Sequence, residues 1–198
     1  MWKLIESKKL DIKEEFVIKS ASKTTYNKLK QFHYINESLP IGSIIYGLFD
    51  KQNDIPYGVI CYSIPSLSIL GRNRSHLGKI LKGLSKSKQT RFINRNLRVI
   101  SRVIIHPSIR GIGLTPYLIE NSRGKIPVRF IEINAGMLFY HNFLPKTYCN
   151  FVKVKVVEQS GKLFNIDSKS NTLSRTHSPI RRYGYGLFIN KDVKPKLN

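Results

Sequence analysis

The segment Arg110-Gly111-Ile112-Gly113-Leu114-Thr115 carries residue types and spacing that point most directly at chemistry. Its two glycines let backbone come close to a ligand. Leu114, Leu118 and Ile119 then recur at helical spacing, so the segment opens a helix whose first amides point outward without partners. Such a helix start is a ready seat for an anion. The same glycines would also suit an ordinary tight turn between strand and helix. Three further positions could move a proton or hold an ion. Glu132 is the only acid in a long apolar run. It reads either as a site carboxylate able to relay a proton or as the ion-pair partner of Arg102 or Arg129. His33, followed by Tyr34, closes a helical pattern. It can act as a base, ligate a metal ion such as iron (with Glu132 as a second, sparse ligand) or cap the helix C-terminus. Tyr140 can give up a proton, or pack with Phe139 and Phe143 in a helix.

The elements that must position these groups follow from periodicity. Leu97 to Ile105 is rich in β-branched residues and reads as a buried strand. His106-Pro107-Ser108 ends it, because proline cannot donate to a sheet ladder. Upstream, Glu15 to Lys19 reads as a first strand. Ser20 to Tyr34 reads as a helix with Ser22 as candidate N-cap and Tyr26, Leu29 and Phe32-His33 on or near one face. Ser43 to Phe49 and Ile55 to Ile64 read as a hairpin around the polar turn Asp50 to Asp54. Downstream come a strand over Pro127 to Asn134, a short helix over Met137 to Leu144, and strands over Asn150 to Val157 and within Thr176 to Ile189. The polar stretch Ser160 to Ser178 reads as a mobile loop, and Lys191 to Asn198 as a frayed tail. The 198 residues read as a single domain with a basic insert at 65–96 and a C-terminal extension at 158–198.

Charge is the strongest compositional signal. The formal net charge is +22. Between Asp54 and Glu120 there is no acid, yet there are eleven Lys and Arg. A field so one-sided predicts a polyanionic partner, nucleic acid ahead of an anionic membrane surface. Compositional drift toward Lys, Asn and Ile accounts for many lysines but not for a window empty of acids. Within the insert, Leu77, Ile80, Leu81 and Leu84 recur at helical spacing among Lys79, Lys82, Lys86 and Lys88, with Arg72, Arg74, Arg91 and Arg95 flanking. This reads as a basic amphipathic helix on a phosphate backbone, or as a solvated surface helix. Arg181 and Arg182, beside Tyr183 and Tyr185, form a second basic and aromatic group able to contact phosphates and stack bases. No run of ~18 apolar residues is present, so no membrane span is expected. The first residues lack the apolar core of a secretory signal. Cys61 and Cys149 show no metal-like spacing and read as buried thiols of a reducing, cytoplasmic compartment.

The strand, the His106-Pro107 turn and Arg110-x-x-Gly113-x-Thr115 together resemble motif A of the GNAT acyltransferase superfamily. Thr115 stands where that pattern usually has Gly or Ala. The resemblance implies an α/β (α+β) fold, with a mixed, mostly antiparallel central sheet flanked by helices. It also implies acetyl-CoA or a related acyl-CoA as cofactor, held by the backbone of Val103, Ile104 and Ile105 and by Arg110, Gly111, Ile112, Gly113, Leu114 and Thr115. Phe32-His33-Tyr34, Leu39-Pro40-Ile41-Gly42 and Tyr46-Gly47-Leu48-Phe49, followed by a basic insert, are similar to the Mom-type DNA-modification proteins of bacteriophages. That likeness implies a transferase acting on the N6 amine of adenine in DNA, in the host cytoplasm if the gene is a phage's, with His33, Tyr34, Glu132 and Tyr140 as catalytic candidates. Two alternatives stand beside it. One is an acetyl-CoA-dependent N-acetyltransferase acting on a protein or aminoacyl-tRNA amine. The other is a non-catalytic nucleic-acid binder in which Thr115 blocks the cofactor.

Overall fold

The computed structural model describes residues 12–34, 38–140, 144, 150–157 and 180–196, with backbone alone for 12–13, 150–157 and 180–182. A single turn, α1 (Ile12–Glu15), leads into β1 (Phe16–Ser20). Phe16 and Ile18 point inward while Val17 and Lys19 face out, the period of a half-buried strand. Helix α2 (Lys23–Leu29) starts where expected. Ser22 is its N-cap, and its Oγ accepts from the Thr25 amide at 3.3 Å. It tightens into a 3-10 turn, Lys30–Phe32. Strands β2 (Ile44–Asp50) and β3 (Pro56–Ser63) form the hairpin. Asp50 Oδ1 accepts from the amides of Gln52 and Asn53 and so shapes the turn.

The insert holds three helices rather than one: α3 (Leu70–Asn73), α4 (His76–Lys82) and α5 (Lys86–Asn96). β4 (Leu97–Ile105), the 3-10 turn Pro107–Ile109 and α6 (Leu114–Arg123) follow. β5 (Phe130–Ala135), α7 (Met137–Tyr140), β6 (Asn150–Val157) and β7 (Ile180–Ile189) complete the order. α7 is described over Met137–Tyr140; residues 141–143 of the helix expected to run to Leu144 lie outside the described residues.

The strands form one seven-stranded sheet in the order β1-β2-β3-β4-β5-β7-β6. Every pairing is antiparallel except β4 with β5. This is the mixed, mostly antiparallel arrangement that the motif resemblance implies. Alternation along the strands divides the core into two faces. Ile60, Ile131, Ile133 and Phe188 pack with Leu114, Leu118 and Ile119 of α6 and Leu138 of α7. On the opposite face Val59, Cys61 and Ile104 pack with Tyr26 and Leu29 of α2, and Phe130, Tyr185 and Leu187 with Leu77, Leu81, Phe92 and Ile93 of the insert. Each fully buried Leu or Ile contributes about 1.5–3 kcal/mol. The insert is therefore a structural layer of the domain as well as a source of positive charge.

Of the stretch expected to fray, residues 191–196 are described, and they are bolted down. The Asn190 amide donates to the Arg129 carbonyl at 2.8 Å, and Arg129 Nη1 donates to the carbonyls of Asn190 and Val193. The buried side chain of Asn96 accepts from the Lys196 amide at 2.6 Å and donates to the Lys196 carbonyl at 2.9 Å. The loop expected over Ser160 to Ser178 and the site of Cys149 lie outside the described residues. No helix among the described residues is long and apolar enough to cross a membrane.

Candidate active site

β4 and β5 pair only over Leu97–Ile100 against Phe130–Ile133. Beyond Ile100 the two parallel strands part. β4 continues on its other edge against β3, where the His106 amide donates to the Tyr57 carbonyl at 2.7 Å. Because backbone groups alternate in direction, Arg102 and Ile104 face β3, while Val103 and Ile105 face the side that β5 has left. The Ile105 carbonyl is taken by Arg110 Nε at 2.9 Å. The amide and carbonyl of Val103, with the Ile105 amide, are thus the groups able to bond an extended ligand as an added strand. Ile104 does not serve this way: its backbone faces β3, and its side chain is buried beneath α2.

The strand runs into the glycine loop. His106 Nδ1 accepts from the Ser108 amide at 3.3 Å and lies 2.7 Å from Ser108 Oγ, shaping the turn at Pro107. Gly111 has φ +90 and Gly113 φ +86. A left-handed backbone of this kind costs other residues about 1–2 kcal/mol. A methyl group at either position would meet nothing within 4 Å, so the space over the loop is open. Gly113 is the N-cap of α6, which leaves the Leu114 and Thr115 amides without helical carbonyls. Pro116 follows them and has no amide to leave unpaired, as suits a first turn. It is a helix-start signal that the glycine pattern alone does not supply. The Leu114 side chain is buried in the core, so its contribution to a seat is its amide.

Arg110 ties the loop to the rest of the site. Besides the Ile105 carbonyl, its Nη2 donates to the Phe32 carbonyl at 3.0 Å. The Phe32 ring meets His106 edge-on, with centroids 4.7 Å apart. The turn after α2 is thereby held against the loop, and His33 and Tyr34, whose rings lie 4.6 Å apart, follow immediately. Tyr34 is largely exposed and His33 half-buried. Tyr140 is exposed on α7, edge-on to Phe139. α7 follows the C-terminal end of β5, and β5 is parallel to β4, so Tyr140 sits at the same end of the sheet as the glycine loop.

Glu132 does not join them. It is fully buried on the opposite face from α6, and its partner is neither Arg102 nor Arg129 but Arg72. Arg72 Nε donates to Oε2 at 3.0 Å and Nη2 to Oε1 at 2.5 Å, a two-pronged pair. Tyr185 Oη donates to Oε2 at 3.0 Å. Arg72 Nη1 bonds the Leu67 carbonyl at 2.9 Å. Burial, and then the Glu132 charge, hold the Tyr185 phenol well above its ordinary range. A carboxylate with both oxygens occupied in the core is not a proton relay for an outside amine. Three expectations are corrected together. Glu132 is structural, Arg72 is no phosphate contact, and Tyr185 is not a stacking platform. The metal site read from His33 and Glu132 fails for the same reason. Among the described residues no three His, Cys, Asp or Glu side chains gather.

Arg74, Lys79, Lys82, Lys86, Lys88, Arg91 and Arg95 are all exposed. The side chains of Arg181 and Arg182 lie outside the described residues. α5 ends at Asn96, where β4 begins, so its C-terminal end is at the opposite end of β4 from the glycine loop. A cavity of about 500 Å³ opens there, beside Arg95, Arg98 and Lys196.

No family model matches the chain, and no curated protein matches it. Among solved structures, it is similar to a GCN5-related N-acetyltransferase from Kribbella flavida, with a TM-score of 0.48 and 12% identity over 90% of this chain and 99% of that one. It is similar also to a spermidine/spermine N-acetyltransferase from Vibrio cholerae in complex with manganese ions, with a TM-score of 0.49 and 10% identity over 90% and 95% of the two chains.

Proposed function

We propose that this chain is an acyl-CoA-dependent N-acyltransferase of the GNAT type. One observation carries the reading. A central strand parts from its parallel neighbour and presents the Val103 backbone to the gap, then runs directly into two left-handed glycines at the start of α6. The fit to a pantetheine pyrophosphate rests on unpaired amides and open space. Amides around Gly111 to Thr115 would hold the pyrophosphate, with the Arg110 charge beside them, and the Val103 backbone would hold the arm. Bound there, acyl-CoA supplies an acyl group activated as a thioester. The chain's own residues have the remaining tasks. His33 takes the proton of the incoming amine. Tyr140 Oη supplies a proton to the departing thiolate. Tyr34, exposed beside the loop, contacts the acceptor.

The acceptor amine is best read as one carried by a protein or an aminoacyl-tRNA. A free polycationic amine is repelled by a surface of net charge +22. Modification of the adenine N6 amine in DNA rests on the sequence likeness alone. No geometry of the site favours it over general N-acyl transfer, and the acid it would use is sealed in the core. Thr115 is half-buried and leaves the loop open, so a blocked seat is not favoured either. Titration of the full chain with acetyl-CoA, followed by thiol release on addition of protein or aminoacyl-tRNA acceptors, tests the proposal. Micromolar binding and acceptor-dependent thiol release are expected. No affinity for CoA at millimolar concentration would overturn it.

A further inference from the structure

We propose that Arg95, Arg98 and Lys196 form a phosphate site for an unpaired nucleotide of a nucleic-acid strand, with the exposed face of α5 as its approach. The three cations border a cavity of about 500 Å³ that no acid among the described residues lines, with half-buried Ile44 and exposed Pro127 on its apolar side. That volume lies within the usual range for a ligand pocket, about 300–1,000 Å³. Cations suit phosphate, and the accessible apolar surface of Ile44 and Pro127 suits the face of a sugar or base. A paired duplex cannot enter such a cavity, whereas a single strand or strand end can.

The site is built, not a chance meeting of surface lysines. Arg98 Nη1 donates to the carbonyls of Asn94 at 2.9 Å and Leu97 at 2.7 Å. These bonds fix the guanidinium plane and, among the described residues, leave Nε and Nη2 for a ligand. Lys196 is brought there by the two hydrogen bonds between the buried Asn96 side chain and its backbone. The tail is fixed a second time by Arg129. Neither anchor uses the Lys196 ammonium, so it stays available. Lys88, Arg91 and Arg95 recur at i, i+3 and i+7 on α5, all exposed, and so form one stripe leading to the cavity.

β4 is nine residues long, which sets this site about 30 Å from the glycine loop. A phosphate held here does not belong to the group that reacts there. The arrangement fits a long polyanion gripped at one end of the sheet with its reactive part at the other. The inference does not depend on the acyl-transfer reading, because phosphate binding at Arg95 requires no cofactor.

The test uses fluorescent single strands of RNA and of DNA about ten nucleotides long, a length within known single-strand site sizes, and a duplex of equal length. Arg95→Ala/Arg98→Ala should weaken single-strand binding at least tenfold and lower the slope of log K against log salt by about 0.7 for each phosphate left without its cation. Lys23→Ala/Lys28→Ala, which removes the same charge from α2, should change binding less than twofold. Asn96→Ala keeps every charge but frees the tail, and should weaken binding several-fold while melting remains cooperative. Equal losses in the α2 control, no loss in Arg95→Ala/Arg98→Ala, or equal affinity for the duplex or for free AMP would each overturn the proposal. Acetyl-CoA titrations on the same proteins separate its failure from failure of the catalytic reading.

Discussion

The two ends of β4 offer two different ways to hold an anion. At the C-terminal end the donors are backbone amides, aimed by two left-handed glycines and the first turn of α6. At the N-terminal end they are the side chains of Arg95, Arg98 and Lys196 around a cavity. Amides are neutral and preorganised, they approach a ligand closely, and they lose little to salt. Cationic side chains reach further and attract from a distance, but screening weakens them over about 8–10 Å at ordinary ionic strength. On these two proposals one strand carries a close-fitting seat at one end and a long-range grip at the other. The pairing suits a small cofactor and a large polyanion.

The comparison depends on counting cations by where they point. Arg72 belongs to the same insert as Arg95 but turns inward, and exchanging each for Ala should separate them most sharply. Arg72→Ala leaves Glu132 charged and buried without its partner and should cost about 3–5 kcal/mol. Arg95→Ala, a surface change, should stay within about 0.5 kcal/mol. Urea unfolding measures both. The double exchange Arg72→Met/Glu132→Leu should recover most of the loss, because well-packed apolar residues replace a buried pair at little cost. If Arg72→Ala instead left stability intact and weakened oligonucleotide binding, Arg72 would count among the gripping residues.

A smaller effect distinguishes the glycine end. Gly113→Val forces a β-branched residue to φ +86 and should cost about 1–2 kcal/mol in strain. It also puts methyl groups into the open space over the loop. Acetyl-CoA affinity should fall at least tenfold while oligonucleotide binding is unchanged. Arg95→Ala/Arg98→Ala should show the reverse. Loss of both activities in either protein would mean that the two ends are not separate sites.

That asymmetry also explains what the sequence could reveal. The glycine end is local: strand, His106-Pro107, two glycines and helix are contiguous, so pattern alone located it. The sheet was legible for the same reason, since β-branched runs, the Ser22 cap and the Asp50 turn act over a few residues. The cationic cavity needs Asn96 to hold Lys196, a contact between residues a hundred positions apart. Without that contact the last residues read as fraying. The Arg72–Glu132 pair was hidden similarly. Arg102 and Arg129 looked closer, yet Arg129 is three residues from Glu132 and so faces the other side of the sheet. Arg102 lies past the point where β4 and β5 part, while Glu132 pairs with Val99. Arg72 reaches Glu132 only because Gly71 lets α3 lie against Tyr185, where a methyl group would come within 2.5 Å.

The last expected effect comes from the middle of β4 and is invisible at neutral pH. Cys61 on β3 pairs in register with Arg102. Burial pushes its thiol up to about 12 from 9.0, only partly opposed by the Arg102 charge. The unfolded chain therefore gives up this proton first. Above pH 9 the unfolded state binds fewer protons than the folded one, so stability falls as pH rises. The contribution is complete below pH 9 and is lost progressively between pH 9 and about 12. Tyr62 and Tyr185, also raised by burial, add losses of the same sign starting above pH 10. Lysine deprotonation changes the net charge over the same range, so the quantity to measure is the difference between the parent chain and Cys61→Ala in urea midpoints from pH 7 to 11. That difference should be constant to pH 9, then shift in favour of Cys61→Ala. A difference that stays flat to pH 11 would mean that water reaches the middle of the strand, and that the two ends of β4 are not held apart by a dry, packed core.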